Sequence, residues 1–218
     1  MAQSLRFRKL ERRLTELRRH LLPKVFSPTG NYSIRQIDMA MGYRLLCHAE
    51  IEDFIESVSR NVVLEKVNLS KTGKATLTTL TLLAYYKVSW DGLLDTENDE
   101  ASVQKLDSSN PFSQPLSKLL DLAAHDYFGR IVTNNHGIRT DNLKRLLKPT
   151  GLDFDSLDQT WLTTIDEFGK QRGATAHTSS VGVSRQIDPK GEFDRIELLK
   201  KGLGDLDDAL GMILKSKN

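Results

Sequence analysis

Between Ser33 and Asn68 apolar residues return at the spacing of an α-helix: Ile34, Ile37, Met41, Leu45, Ile51, Ile55, Val58 and Val62. A run of about ten turns with one continuous apolar edge cannot be a strand, and it is too long to stand alone in water. It must lie across a core that other segments of the chain complete. Asn31 or Ser33 can cap its start, and Lys71-Thr72-Gly73 breaks it. Two polar residues, His48 and Glu52, fall on the same apolar edge. At 100° per residue Glu52 lies within about 20° of Met41 and Leu45, so it faces the core or a partner. A carboxylate there requires a cation or several hydrogen-bond donors.

The rest of the chain supplies more helices and little else. A first helix runs from about Ser4 to Leu22, where Pro23 ends it. Residues 74–90 fit either a strand, through alternating threonines, or a helix through Leu77, Leu80 and Val88; with no sheet partner nearby, helix is the expectation. Residues 91–110 are acidic and polar, and Asp107 to Pro111 mark a loop. Ser113 and Pro115 open a helix expected to reach Phe128 and stop at Gly129. Thr140 is placed to cap a short helix holding Leu143, Leu146 and Leu147. Ser156 and Gln159 form a possible capping box for the next, which buries Leu157, Trp161, Ile165 and Phe168. A last helix carries Phe193, Ile196, Leu199, Leu203, Leu206, Leu210 and Ile213, with Gly202, Gly204 and Gly211 allowing close approach of a neighbour. The expected fold is all-α, five to seven helices, with a basic amphipathic N-terminal helix (1–26) and a helical domain (27–218).

Charge is unevenly spread. The chain of 218 residues carries +2 overall, yet its first 25 residues hold eight Lys/Arg against two Glu, leaving the remainder acidic. Such a cationic end can meet phosphate backbones. It also reads as a packing helix with a solvated cationic face, because Leu10, Leu14, Leu17 and Leu21 recur at helical spacing. The longest apolar runs, such as Leu80 to Tyr86, are far too short to span a bilayer, and the N-terminus lacks the apolar stretch of a secretory signal. One cysteine, Cys47, excludes an internal disulfide and fits a reducing compartment, so the expected location is cytoplasmic.

One stretch carries chemistry: Arg172-Gly173-Ala174-Thr175-Ala176-His177. A guanidinium holds phosphate by charge and paired hydrogen bonds, and an imidazole moves protons near neutral pH. Together they suffice to cleave RNA through its own 2′-hydroxyl, without a metal. On an ideal helix residues five apart lie about 140° from each other. A helix start or kink near Gly173 would bring the two toward one cleft. Taken singly, His20, His48, His125 and His136 read as structural, although His48 beside Glu52 shares a helix face with it. No histidine pair has ligand spacing, the cysteine is isolated, and no phosphate-binding glycine loop or nucleophile elbow occurs, so neither metal nor nucleotide cofactor is expected.

With these residues in hand, the chain resembles the HEPN superfamily, all-helical domains of prokaryotic toxins and defence proteins, through Arg172-x4-His177. The run Asn135-His136-Gly137-Ile138-Arg139-Thr140-Asp141-Asn142 to Leu147, then Gly151-Leu152-Asp153, the aromatic helix and the motif, is similar to its RiboL-PSP branch, as is Ala49-Glu50-Ile51-Glu52 on the long helix. The resemblance covers about residues 33–185. It implies a metal-independent endoribonuclease acting on RNA as a homodimer, with two copies of the motif forming one composite site. Arg172 would bind the scissile phosphate, His177 would act as general base or acid, and Glu52 would orient one of them. Gly173, Thr178 and His48 would border the substrate. The products would be 2′,3′-cyclic phosphate and 5′-hydroxyl ends, and an antitoxin or defence-system protein would be the partner. Gly173, where a polar residue is usual, and Thr178, where glycine is common, depart from the pattern. Two other functions stay open: a non-catalytic module binding RNA or a protein, and a structural adaptor in which internal carboxylates fully pair Arg172.

Overall fold

The computed structural model describes residues 3–72, 74, 76–94, 116–177 and 187–216, without the side chains of 86–94, 116–117 and 173–177. Among the described residues there are seven α-helices and no strand: α1 (Leu5–Leu21), α2 (Ile34–Ser70), α3 (Leu77–Leu94), α4 (Leu116–Asp126), α5 (Thr140–Leu147), α6 (Gln159–His177) and α7 (Pro189–Lys215). None is long and apolar enough to cross a membrane.

The long helix is the axle of the bundle, and each of the other six packs against it. Its start is a complete capping box, with the Ser33 hydroxyl accepting from the Gln36 backbone N–H and the Gln36 side chain accepting from the Ser33 N–H. Because helices press on it from several sides, its buried surface is wider than a single stripe. Tyr43, Cys47, Ile51, Phe54, Ile55, Val58, Val62 and Val63 are all inside, whereas Ile34, at the tip, is 78% exposed.

The N-terminal helix spends its apolar face on packing. Phe7, Leu10, Leu14 and Leu17 are buried, and Phe7 meets Phe54 of α2 edge to face. Its first turn is tied to α7, the Ser4 N–H and hydroxyl both donating to Asp207 at 2.8 and 2.7 Å. Arg44 of α2 and Glu192 of α7 form a buried two-point ion pair at 2.9 and 2.6 Å. Lys66 of α2 donates to the Ser216 carbonyl just past the end of α7, where unpaired carbonyls favour a cation. Deep in α7, Gly202 lets the Trp161 indole lie flat on the backbone; a Cβ there would come within 2.2 Å of the ring.

Three local expectations are corrected. The fourth helix does not stop at Gly129: it widens into a π-helical segment, Tyr127–Val132, closed by the Thr133 N–H on the Phe128 carbonyl. Thr140 is not a cap but the first helical residue of α5, its N–H donating to Asp166 of α6 at 2.9 Å. Ser156 and Gln159 form no capping box, because Ser156 lies in a 3-10 turn (Phe154–Ser156) and the Asp158 carboxylate accepts from Trp161 N–H at 2.7 Å. The acidic residues from Asp95 to Glu100, Ser113, Pro115 and the Ser/Gly/Val segment after His177 lie outside the described residues.

Candidate functional site

Helix α6 brings Arg172 to the surface of α2. It runs without interruption through Gly169 and Gly173 to His177, so the break near Gly173 that would have swung positions 172 and 177 together is absent. Within one chain those positions are about 140° apart around the helix. The Arg172 side chain is half-buried, and the described residues give it no hydrogen bond or ion pair. Gly173 is the next backbone unit of α6. The His177 side chain and Thr178 lie outside the described residues.

Around Arg172 two cavities meet. One, of about 460 Å³, is lined by Glu52, Asp53 and Glu56 of α2 together with Asn135, His136 and Arg172. The other, of about 320 Å³, is lined by His48, His136, Arg139, Asn142, Lys170 and Arg172 among others. One side is thus rich in carboxylates and the other in cations, with Arg172 and His136 on the divide. A roomier groove of about 800 Å³ runs between α1 and α2, lined by Arg6, Lys9, Arg12, Arg13 and Glu50, and it shares Asp53 with the first cavity.

The helix-edge reading of His48 and Glu52 holds. His48 is 1% exposed and Glu52 is half-buried. Burial, and secondarily the charge of Arg172, push the His48 imidazole down to about 4, so it is neutral at physiological pH. Its Nδ1 stands 3.5 Å from a Glu52 carboxylate oxygen but makes no hydrogen bond. With a neutral ring and no hydrogen bond, the contact is not an ion pair. Burial and the neighbouring Glu56 raise the Glu52 carboxyl above its usual range, against the opposing pull of Arg172, His136 and the Gly137 N–H. Glu52 therefore lies within the field of a cation, Arg172, without forming an ion pair with it among the described residues.

The loop after α4 supplies residues that sequence reasoning did not select. The Asn135 amide donates to Glu56 at 2.7 Å and to the Gly137 carbonyl at 3.0 Å, and its oxygen accepts from Asn142 at 3.0 Å. Gly137 sits at φ +152°, and Ile138 is fully buried. This fastening holds His136, itself exposed, at the mouth of both cavities. His136 appears in the run that carried the family resemblance, which was the available signal; taken as a lone histidine it gave none. Lower on α6, burial alone would raise the Asp166 carboxyl, but the Thr140 N–H with Lys170 and Arg139 outweighs it and holds the group below its ordinary value. Arg139 and Lys170 are thereby partly neutralised, at 3.4 Å each from Asp166.

What the arrangement offers chemically is a half-buried guanidinium with no ion pair among the described residues, a raised carboxyl in reach of its field, and an exposed imidazole beside both. Among the described residues no group of three His, Cys, Asp or Glu side chains is gathered as a metal site. Compared with known proteins, the chain matches a family model described as RiboL-PSP-HEPN over residues 8–211, wider than the 33–185 span of the resemblance. No curated protein and no solved structure matches it.

Proposed function

This chain belongs to the RiboL-PSP-HEPN family, and from that premise we propose that it is a metal-independent endoribonuclease whose working site is completed by a second copy of the chain. The observation that carries the reading is Arg172. A guanidinium engaged only in structure would be tied to internal carboxylates, as Arg44 is to Glu192; Arg172 is half-buried, makes no ion pair among the described residues and borders two cavities. A half-buried guanidinium that lines a cleft and, among the described residues, is held by no ion pair can take an anion.

In this mechanism Arg172 holds a non-bridging oxygen of the scissile phosphate and offsets the charge that grows on the five-coordinate phosphorus. His177 takes the proton of the 2′-hydroxyl, O2′ bonds to phosphorus, and the P–O5′ bond breaks, giving a 2′,3′-cyclic phosphate and a 5′-hydroxyl end. Glu52 orients Arg172 through its field. The unbroken helix supports a composite site, because a position about 140° from Arg172 on the same helix is better placed to meet the Arg172 of another copy than its own. Gly173 and Thr178 border the RNA strand, and His48 backs the cleft. A nuclease of this kind works in the cytoplasm, as a toxin or antiviral effector, under the restraint of a partner protein.

The test is cleavage of total RNA in EDTA by wild type, Arg172→Ala and His177→Ala, with product ends analysed and the dimer followed by light scattering. Cyclic-phosphate ends from the wild type alone support the reading. RNA binding without cleavage in all three would favour the non-catalytic module.

A further inference from the structure

Cleavage through a 2′-hydroxyl moves two protons, one off O2′ and one onto O5′, and a second imidazole stands at the same cleft. His136 lines, with Arg172, both the 460 Å³ and the 320 Å³ cavity. It is exposed, yet the residues on either side of it are anchored. On one side Asn135 is bolted to Glu56 and Asn142. On the other, Gly137 takes a backbone conformation that L side chains rarely adopt, and Ile138 is sunk in the core. An imidazole carried over a cleft by a fixed loop needs only its own side chain ordered on binding, which lowers the entropic cost of placing it. Its charge reaches Glu52, the carboxyl that Arg172 also reaches.

We propose that His136 is a catalytic residue of this site, the general acid that protonates the departing O5′ of the RNA. The proposal rests on the ribonuclease reading above. As O2′ gives its proton to His177 and bonds to phosphorus, the P–O5′ bond breaks and its electron pair leaves on O5′. The His136 imidazolium delivers its Nδ1 or Nε2 proton to that oxygen and is reprotonated by water. The charged groups facing it are Glu52, Asp53 and Glu56 from α2, Arg139 from its own segment, and Lys170 and Arg172 from α6. The carboxylates line one wall of the cleft, and the phosphate held by Arg172 places the leaving oxygen beside the ring.

A general acid matters only when the leaving group needs a proton, and that separates it from a structural part. The experiment compares an ordinary RNA oligonucleotide with the same strand carrying sulfur in place of the bridging O5′, since a thiolate leaves unprotonated. His136→Gln is expected to cut the rate on ordinary RNA by about 10²–10⁴-fold and to leave the sulfur substrate within about tenfold of wild type. It should also remove the alkaline fall of the pH–rate profile, where the acid loses its proton. Arg172→Ala should slow both substrates. An unchanged rate on ordinary RNA, or an equal loss on both substrates with His136→Gln and His136→Asn alike, overturns the assignment and leaves the ribonuclease reading standing. A wild type that cleaves neither substrate overturns that reading and the role of His136 with it.

Discussion

The Nδ1 of His48 faces a Glu52 carboxylate oxygen across 3.5 Å without a hydrogen bond, two titratable groups one helical turn apart in the base of the cleft. Burial, then the Arg172 charge, pushes the imidazole down to about 4. The unfolded chain therefore binds a proton at this ring that the folded chain refuses. Stability due to His48 is complete above about pH 6.5 and is lost as pH falls toward 4, a change on the order of 3 kcal/mol. Glu52, raised by burial and Glu56, acts in the opposite sense: its folded form keeps a proton longer as pH rises, so on acidification it returns part of the loss. Urea midpoints from pH 7.5 to 4.5 should fall for wild type and flatten in His48→Gln. Equal slopes would show that the ring is not kept neutral.

The α2–α7 contact is held by Arg44 and Glu192, both almost wholly buried and joined at two points. Arg195 adds a third bond to the same carboxylate at 2.7 Å. Breaking this buried pair is costly, so Glu192→Leu should cost about 3–5 kcal/mol and Arg44→Met less, because Arg195 still holds Glu192. The double variant should cost less than the sum, because the Arg44–Glu192 interaction can be lost only once. Additive losses in chemical denaturation would contradict the pairing.

Two glycines of α7 predict opposite outcomes. At Gly202 an added Cβ lands 2.2 Å from Trp161 Cδ1, and that indole is pinned by its N–H on the Leu199 carbonyl at 3.1 Å. Gly202→Ala should lower stability by about 1–3 kcal/mol or more through overpacking. A Cβ added at Gly211 would meet no atom within 4 Å apart from its chain neighbours and the backbone of its own helix, so Gly211→Ala should gain about 0.5–1 kcal/mol from helix propensity. Thermal melts of the two variants should move to either side of wild type.

Helix-level features were legible because their causes are local. Ser33 with Gln36, the Pro23 stop, the leucine seam of α7 and the inward aim of Glu52 all follow from spacing and capping chemistry within a few residues. Corrections came where neighbouring residues offered a competing local geometry. Gly129 passes through a π-helical segment in place of a stop, and Asp158 outcompetes Ser156 as the cap of α6. His136 was missed for a different reason. Its value depends on Asn135 meeting Glu56 across 79 positions of sequence, and no local pattern encodes that meeting. The Arg172 side was foreseen as chemistry but not as geometry, since the helix does not break at Gly173.

That meeting of Asn135 with α2 makes the last prediction. Its amide nitrogen is 2.7 Å from Glu56, 3.5 Å from Glu52 and 3.0 Å from the Gly137 carbonyl, three acceptors around one donor. Asn135→Asp keeps the shape and loses the donor, setting a third carboxylate against two others. Asn135→Ala loses the donor without adding charge. The aspartate should cost more than the alanine at pH 7.5, about 2–4 kcal/mol in all, because hydrogen bonds to charged groups are lost and repulsion is added. Crowded carboxylates take up protons readily, so the extra cost of Asp over Ala should shrink as pH falls toward 5. Urea midpoints of the two variants that stay in parallel over that range would mean that Asn135 does not hold the His136 segment against α2 by neutralising its carboxylates.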